Sequence, residues 1–470
     1  MEISVMEMIG LPEKFVKMTE SLGLRGLAEV LAGSEPSTAV RLNKSKWPAG
    51  VDIGRRVEWC ESGRYLDERP AFIFDPMLHQ GAYYVQDASS MIMSHVARRL
   101  GERIGRRLAW LDACAAPGGK SSAAISELPE GSVLVANEYV AQRAAILSEN
   151  LAKWGNGHVV VTTGDAARLG RLGERFDVIA ADVPCSGEGM MRKDSDAVEQ
   201  WSEGLIEECA RRQWDIVSNL WNALRGGGYL IYSTCTFNRR ENEEMVERIV
   251  KELGGEPVDL SPEGETGISN GIDTAYPAMR FIPGRTEGEG LFMAVVRKPG
   301  ELPANADSGT AKKKSRGGTA KESDAVRTAR GWLKNPDDYR ITVDAEGIIR
   351  ALPASALLPR EIADNCRAVL TLGTVKGRDV IPAQPLALST DLSSEAFGRA
   401  DVDRVTALAY LRHETITLAD DAPRGIVLLY YRDLPLGFVK NLGKRANNLY
   451  PAQWRILSAL PEPLPAELIG

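Results

Sequence analysis

The chain has 470 residues, of which 44% are hydrophobic and 26% are charged, and its formal net charge is −7. This length exceeds what one hydrophobic core usually supports, so we expect two or three domains. The negative balance argues against a protein that coats nucleic acid indiscriminately, although local basic patches can still contact phosphates.

The sequence carries no membrane or secretion signal. No apolar run approaches the roughly 20 residues that span a bilayer, and Glu2, Glu7 and Glu13 stand where a signal peptide has its basic start. The six cysteines form no CxxC pair, so neither a disulfide framework nor a zinc site is indicated. We therefore expect a soluble cytoplasmic protein with reduced thiols, no membrane contact and no metal.

The chain begins with a small helical unit. Between residues 11 and 33 apolar side chains recur at helical spacing. Residues 41–46, Arg-Leu-Asn-Lys-Ser-Lys, then offer cations and an amide beside an apolar run. This segment could hold a nucleic-acid backbone, and the alternative interpretation is a solvated strand end.

Residues 108–128 predict a strand, a glycine turn and a helix, which is the opening of a nucleotide-binding βαβ unit. The turn lacks both common phosphate fingerprints, because a P-loop needs glycine where Cys114 stands and no GxGxxG is present. A Gly-Gly turn at a helix N-terminus instead allows close approach of a polar ligand, including the amino-acid end of S-adenosylmethionine. The residues of this predicted cofactor turn are Cys114, Ala115, Ala116, Pro117, Gly118, Gly119 and Lys120.

Acidic residues follow three of the next predicted strands. Glu138 lies about two dozen residues past the first strand, where an acid commonly accepts ribose hydroxyls. Asp165 and Asp182 follow later strands. Extra carboxylates would repel a diphosphate, whereas a cationic sulfonium cofactor tolerates them, so the pattern favours S-adenosylmethionine. Each acid taken singly could also cap a helix or a turn.

Two apolar strands end in cysteines. Residues 176–187 close on Asp182 and Cys185, and residues 226–237 close on Cys235. In an open α/β sheet the ligand crevice lies beyond the carboxyl ends of the strands, so we expect both thiols there. A buried cysteine is often only a small hydrophobe, and the second thiol with its carboxylate is what favours a catalytic function.

Three motifs together resemble those of the Sun/Nop family of RNA cytosine-5 methyltransferases: DACAAPGGK at 112–120, ADVPCSG at 181–187 and STCT at 233–236. The resemblance covers roughly residues 10–298. It implies an α/β protein with a Rossmann-like sheet and S-adenosylmethionine as cofactor. It further implies that Cys235 is the nucleophile, that Cys185 assists release of the methylated base, and that Lys120 helps to order Asp182.

The C-terminal third looks like an added module. Residues 299–322 predict a flexible basic linker, with a lysine run at 312–314. Residues 323–470 recover a globular composition, with apolar strands at 425–431 and 435–440. Residues 437–451 resemble the PUA-like region of the family's bacterial 16S ribosomal RNA branch, and a hairpin with surface lysines is the alternative.

The implied organisation is an N-terminal RNA-binding region at 1–75, a methyltransferase domain at 76–298, the linker, and a PUA-like α+β RNA-binding module at 323–470. We expect a monomer that acts on 16S ribosomal RNA or the small ribosomal subunit. Residues 188–194 predict a mobile connection in which Arg192 and Lys193 could meet phosphate, or else a solvated loop.

Three other functions stay open. A transfer RNA could be the target instead of ribosomal RNA. A DNA cytosine-5 enzyme would use the Pro-Cys thiol, Cys185, as its nucleophile and would not need Cys235. A non-enzymatic RNA-binding assembly factor would need neither thiol.

Overall fold

The computed structural model describes residues 10–304 and 323–469. Most of the predicted basic linker, including its lysine run, therefore lies outside the described residues. Within the described ranges, no helix combines the length and the apolar character that crossing a membrane requires.

The N-terminal region contains two helices and a small sheet. Helices α1 (Glu13–Ser21) and α2 (Leu27–Gly33) confirm the helical unit that the spacing predicts. Four strands form the sheet in the order β2-β3-β1-β4: β1 (Thr38–Leu42), β2 (Arg55–Val57), β3 (Cys60–Leu66) and β4 (Tyr83–Val85). A short helix, α3 (Pro76–His79), precedes β4, so this sheet extends past residue 75.

A large sheet forms the centre of the molecule. Its strands are β5 (Ala109–Asp112), β6 (Val133–Glu138), β7 (Val159–Thr163), β8 (Phe176–Asp182), β9 (Leu224–Thr234), β10 (Glu256–Val258), β11 (Met279–Phe281) and β12 (Leu291–Arg297). The order is β10-β12-β9-β8-β5-β6-β7, with β11 paired to β12. Strands β5 to β9 run parallel, and β12 returns antiparallel to β9.

Helices cover both faces of this sheet, which is why its strands are apolar throughout. They are α4 (Ile92–Ile104), α5 (Gly119–Ile125), α6 (Ala141–Trp154), α7 (Ala166–Gly170), α9 (Glu203–Ala223) and α10 (Glu243–Leu253). Helix α8 (Ser195–Gln200) instead packs against the N-terminal helices. Successive strand residues point to opposite faces, so Trp110 packs in one core and Leu111 in the other. Cys209 lies on helix α9, and its side chain is buried.

The strand order reverses between β5 and β8. The chain runs outward from β5 through β6 and β7, and then returns to place β8 on the other side of β5. Open α/β sheets bind ligands in the crevice beyond the strand ends at such a reversal. The turn after β5 and Asp182 at the end of β8 meet at this point.

The C-terminal region forms two further four-stranded sheets. The first contains β13 (Tyr339–Val343), β14 (Ile348–Pro353), β16 (Thr371–Lys376) and β17 (Asp379–Pro382), and β15 (Arg367–Ala368) instead pairs with β7 of the central sheet. The second contains β18 (Gly398–Asp401), β19 (Gly425–Tyr431), β20 (Leu434–Asn441) and β21 (Ala446–Asn448). Four helices accompany them: α11 (Asp324–Arg330), α12 (Arg360–Ala363), α13 (Gln384–Leu388) and α14 (Arg404–Leu411). Strands β19 and β20 confirm the two that the sequence predicts.

Candidate active site

The two cysteines predicted from separate motifs lie side by side. Strands β8 and β9 are parallel neighbours in which Asp182 pairs with Ser233, so the loops that follow them emerge together. The Sγ atoms of Cys185 and Cys235 are 3.1 Å apart, and the backbone N–H of Cys235 donates to Cys185 Sγ at 3.4 Å. Both side chains are only half-buried. Both thiols therefore lie together at the same edge of the central sheet.

Asp182 links the cysteine pair to the glycine turn. Its Oδ1 accepts a hydrogen bond from Ser233 Oγ at 2.7 Å, and its Oδ2 accepts from Lys120 Nζ at 2.8 Å. Burial lowers the pKa of Lys120, but the charge of Asp182 and the hydrogen bond to it outweigh burial and leave that pKa raised. Lys120 is therefore a permanent cation in the first turn of α5, beside Asp182.

Cys185 holds its proton firmly. The hydrogen bond to Cys235, followed by burial, raises the pKa of Cys185 well above its ordinary value. A thiol that keeps its proton can donate it in a hydrogen bond to the neighbouring sulfur, which lies 3.1 Å away. Cys185 is therefore placed as a hydrogen-bond donor to the Cys235 sulfur.

The glycine turn is shaped by Gly118 within it and by Asp112 just before it. Gly118 has φ 112°, a left-handed conformation that glycine adopts without strain, and it directly precedes α5. Asp112 is buried at the end of β5 and accepts a hydrogen bond from Ser121 Oγ at 2.6 Å. Burial raises the pKa of Asp112 to about 6. Burial also raises the pKa of Cys114 well above its usual range, so this thiol stays protonated.

The acids after β6 and β7 have different environments. Glu138 is buried, and its Oε1 accepts from the backbone N–H of Val140 at 3.0 Å. Its Oε2 has no hydrogen-bond partner among the described residues. Asp165 is exposed and caps α7, where its carboxylate accepts from the backbone N–H of Arg168 at 2.7 Å. Glu138 keeps a free acceptor, whereas Asp165 has the capping contact that its sequence position also allowed.

The prediction of a mobile segment at 188–194 is wrong. Glu188 is fully buried and begins a short 3₁₀ helix, and its carboxylate is hydrogen-bonded to the loop that follows Cys235. Arg192 and Lys193 both form ion pairs with Glu289 at 2.9 Å. Because both cations are held in ion pairs with Glu289, they are not the free phosphate contacts that the sequence suggested.

The basic segment 41–46 also differs from its prediction. Arg41 is buried, donates to Gln86 Oε1 at 2.8 Å and to Ser122 Oγ at 2.5 Å, and stacks over Trp154. Lys46 is buried and donates to the carbonyl oxygens of Gln80 and Lys153. The segment holds the N-terminal sheet against α5 and α6, so these side chains cannot hold a nucleic-acid backbone.

The sequence did not indicate two buried carboxylates that lie behind the thiols. Glu188 and Glu241 are both fully buried. Glu188 belongs to a loop that resembles a solvated connection, and Glu241 belongs to an acidic run typical of the first turn of a helix. Nothing in either stretch signals burial, because the groups that enclose the two carboxylates come from distant parts of the chain.

A basic hairpin lies at the far end of the second C-terminal sheet. Strands β20 and β21 are joined at residues 442–445, and Lys440, Lys444 and Arg445 are exposed. Across residues 10–304 and 323–469, none of the three side chains has an ion-pair partner. This hairpin presents unneutralised positive charge to solvent.

Comparison with known proteins identifies the family. A family model described as 16S rRNA methyltransferase RsmB/F matches residues 104–297. Models described as the N-terminal domain of 16S rRNA methyltransferase RsmF and as the RsmF PUA domain match residues 11–88 and 398–456. Ribosomal RNA small subunit methyltransferase F of Shewanella amazonensis is 31% identical over 414 residues, which cover 84% of this chain and 85% of that protein. The chain belongs to the ribosomal RNA small subunit methyltransferase F family.

Further matches agree with this assignment. The methyltransferase is 30% identical over 429 residues to the protein of the same name from Citrobacter koseri, covering 84% of each chain. The solved structure of NSun6 from Pyrococcus horikoshii with SFG matches with a TM-score of 0.52 and 19% identity, covering 63% of this chain and 100% of that chain. The predicted fold, a Rossmann-like methyltransferase sheet with an N-terminal region and a PUA-like module, is confirmed.

Proposed function

We propose that this methyltransferase transfers a methyl group from S-adenosylmethionine to carbon 5 of a cytidine in 16S ribosomal RNA. In this proposal the sulfur of Cys235 bonds transiently to carbon 6 of the base. The observation that carries it is the thiol pair, with Sγ atoms 3.1 Å apart, beside Asp182 at the reversal of the central sheet. The choice of 16S ribosomal RNA as substrate rests on the names of the matching family model and relatives.

The residues around the glycine turn fit the cofactor. The turn 114–120 presents backbone N–H groups at the start of α5, where an anionic carboxylate binds well. The free Oε2 of Glu138 suits ribose hydroxyls, and Asp165 and Asp182 complete the proposed site with further acceptors. When bound, S-adenosylmethionine supplies the electrophilic methyl group that carbon 5 receives.

Cys235 would make carbon 5 reactive. Carbon 5 of cytosine is too weak a nucleophile on its own, so the Cys235 sulfur first adds to carbon 6 while its thiol proton passes to Asp182. The carbon–carbon double bond opens, and its electron pair moves into the ring. The Lys120 cation favours the anionic sulfur, and Asp182 would pass the proton on to the ring nitrogen as charge develops there, which leaves an enamine with an electron-rich carbon 5.

Cys185 would assist the release of the product. Once carbon 5 is methylated, it still carries its original proton. Removal of that proton returns the electron pair to form the carbon 5–carbon 6 double bond, and the Cys235 sulfur leaves as a thiolate. Cys185 lies beside Cys235 and is our candidate for assisting this step. Its retained proton would pass to the departing Cys235 sulfur, and the Cys185 thiolate so formed would take the carbon 5 proton, directly or through water.

The exposed basic hairpin supports an RNA substrate. Lys440, Lys444 and Arg445 can contact phosphates without first breaking an ion pair. An enzyme that reacts at carbons 5 and 6 must also take the base out of its stack, so contacts far from the thiols would hold the rest of the RNA. The relatives are named as methyltransferases of small-subunit ribosomal RNA, which favours 16S ribosomal RNA over transfer RNA as the substrate.

The test compares Cys185→Ser with Cys235→Ser on 16S RNA. We expect Cys185→Ser to accumulate a covalent RNA adduct that survives denaturing electrophoresis, and Cys235→Ser to form none and to lose methylation measured by bisulfite sequencing. An adduct on Cys235→Ser but not on Cys185→Ser would assign the nucleophile as in DNA enzymes. Full complementation of a deletion strain by Cys235→Ser would favour the assembly factor.

A further inference from the structure

Two loops carry the thiols, and a buried carboxylate on each loop binds the other loop. We define the Cys185 loop as residues 184–189 and the Cys235 loop as residues 235–242. Glu188 of the Cys185 loop accepts hydrogen bonds from Thr236 Oγ1 and from the backbone N–H groups of Phe237 at 2.6 Å and Asn238 at 2.9 Å. One carboxylate therefore fixes the backbone that directly follows Cys235.

The second carboxylate makes the reciprocal contact. Glu241 of the Cys235 loop accepts from the backbone N–H of Ser186 at 3.0 Å and from its Oγ at 2.5 Å. Gln213 donates to the same carboxylate at 2.6 Å and to the carbonyl of Pro184 at 2.9 Å. Glu241 thus fixes the residues on both sides of Cys185.

The two carboxylates form one network. The side-chain amide of Asn238 donates to Glu188 Oε1 at 3.0 Å and to Glu241 Oε1 at 2.8 Å. A direct backbone bond, from Gly189 N–H to the carbonyl of Cys235 at 2.7 Å, joins the loops again. Any movement of one thiol relative to the other must therefore break several short hydrogen bonds.

Burying two carboxylates costs folding free energy, so we expect such a pair only where its geometry is needed. Both carboxylates are fully buried, and within the described residues neither has a Lys, Arg or His partner. Burial raises the pKa of Glu241, which reflects that cost. Buried charges without a cation are usually avoided, and apolar side chains would fill the space more cheaply. A fully satisfied polar network does, however, hold a unique geometry.

We propose that Glu188 and Glu241 are positioning residues with separate tasks in the reaction. Glu188 holds Cys235 for attack on carbon 6, and Glu241 holds Cys185 for the release step. This inference rests on the proposed function, because it assumes that the two thiols act in successive steps. The contacts assign one task to each carboxylate, because each carboxylate accepts from the backbone beside only one thiol.

The experiment measures covalent adduct and turnover together in Glu188→Gln and Glu241→Gln. Glutamine keeps the size of the side chain but puts an N–H₂ group where an acceptor oxygen stood. For Glu188→Gln we expect adduct formation to slow about tenfold or more, as small misplacements of reacting groups do. For Glu241→Gln we expect turnover to fall while the fraction of enzyme in adduct rises toward that of Cys185→Ser.

Controls separate positioning from folding. Asp75→Asn removes another buried carboxylate, which binds Met77 N–H and Tyr83 OH away from both loops, and should leave the adduct fraction unchanged. Thr236→Val and Ser186→Ala each remove one hydroxyl donor from the network. We expect Thr236→Val to slow adduct formation and Ser186→Ala to raise the adduct fraction, both more weakly than the glutamine variants. These variants keep the test available even if a glutamine variant does not fold.

The outcomes are distinguishable from failure of the proposed function. If Cys185→Ser forms no adduct, the proposed function itself fails. If Cys185→Ser does form the adduct, but the Glu188 and Glu241 variants lower turnover and adduct in the same proportion, the division of tasks is overturned and the network is only structural.

Discussion

Two short segments rich in Lys, Arg and Asn differ in burial: one packs inside the molecule and the other is exposed to solvent. Residues 41–46 include Arg41 and Lys46, which are buried against α5 and α6. Residues 440–445 include Lys444 and Arg445, which stand exposed at the end of a hairpin. Composition alone describes both segments as candidate nucleic-acid contacts. The side chains that pack over a segment decide whether its cations can still contact a nucleic acid.

The covering groups explain the difference. Arg41 lies on β1, an inner strand of the N-terminal sheet, and its side chain is covered by Ser122 and Trp154, about a hundred residues away in the sequence. The hairpin lies at the end of its sheet, where no later element covers it within the described residues. A buried guanidinium must be paired, whereas an exposed one can stay free. The first segment therefore stabilises the fold, and the second can bind a ligand.

Removing Arg41 should give the largest effect. Arg41→Met leaves Gln86 Oε1 and Ser122 Oγ without their buried donor and removes the stacking on Trp154. We expect the free energy of unfolding to fall by about 3 kcal/mol, measured by urea denaturation. Lys44→Met is the matched control, because Lys44 is exposed and its ion pairs with Glu61 and Glu127 are partly solvated. Equal stability of the two variants would contradict the structural assignment of Arg41.

The sequence locates the thiol pair better than the residues that surround it. Apolar runs mark the strand ends, so the sequence brings Cys185, Cys235 and Asp182 to one edge of the sheet, and the structure has them there. Burial of a charged side chain depends on residues that are distant in sequence, and local spacing does not encode it. For that reason the sequence places Glu188 in a mobile connection and Arg41 in a solvent-exposed segment, whereas the structure buries both.

The exposed hairpin should control RNA affinity rather than stability. Each phosphate contact contributes a sequence-independent, salt-sensitive part of the affinity. We expect the double variant Lys444→Gln, Arg445→Gln to weaken RNA binding about tenfold or more, and to lower the salt dependence of log K by about 1.4 for single-stranded contacts. Fluorescence anisotropy at several salt concentrations measures both quantities.

A second hairpin supplies the matched control for this variant. Lys376 and Arg378 are also exposed, at the turn between β16 and β17 of the other C-terminal sheet. The double variant Lys376→Gln, Arg378→Gln removes the same charge from a different surface. If both double variants weaken binding equally, the effect comes from net charge and not from the hairpin at 440–445.

The smallest expected effect, taken per pH unit, is a pH dependence of stability at Lys46. Burial lowers the pKa of Lys46 to about 7 in the folded protein. A lysine in an unfolded chain has a pKa of about 10.4. Between these values the unfolded chain binds a proton that the folded protein does not, so the free energy of unfolding rises with pH. The slope approaches about 1.4 kcal/mol per pH unit and vanishes below pH 7, where both states are protonated.

Lys46→Met removes this proton and should flatten the rise in stability between pH 7 and pH 9, while Lys44→Met should retain it. Urea denaturation across that range gives the slope for each variant. An identical slope in wild type and Lys46→Met would mean that Lys46 keeps its ordinary affinity for a proton and is reached by water. The contrast between the covered segment and the exposed hairpin would then lose its electrostatic basis, because both would carry solvated charge.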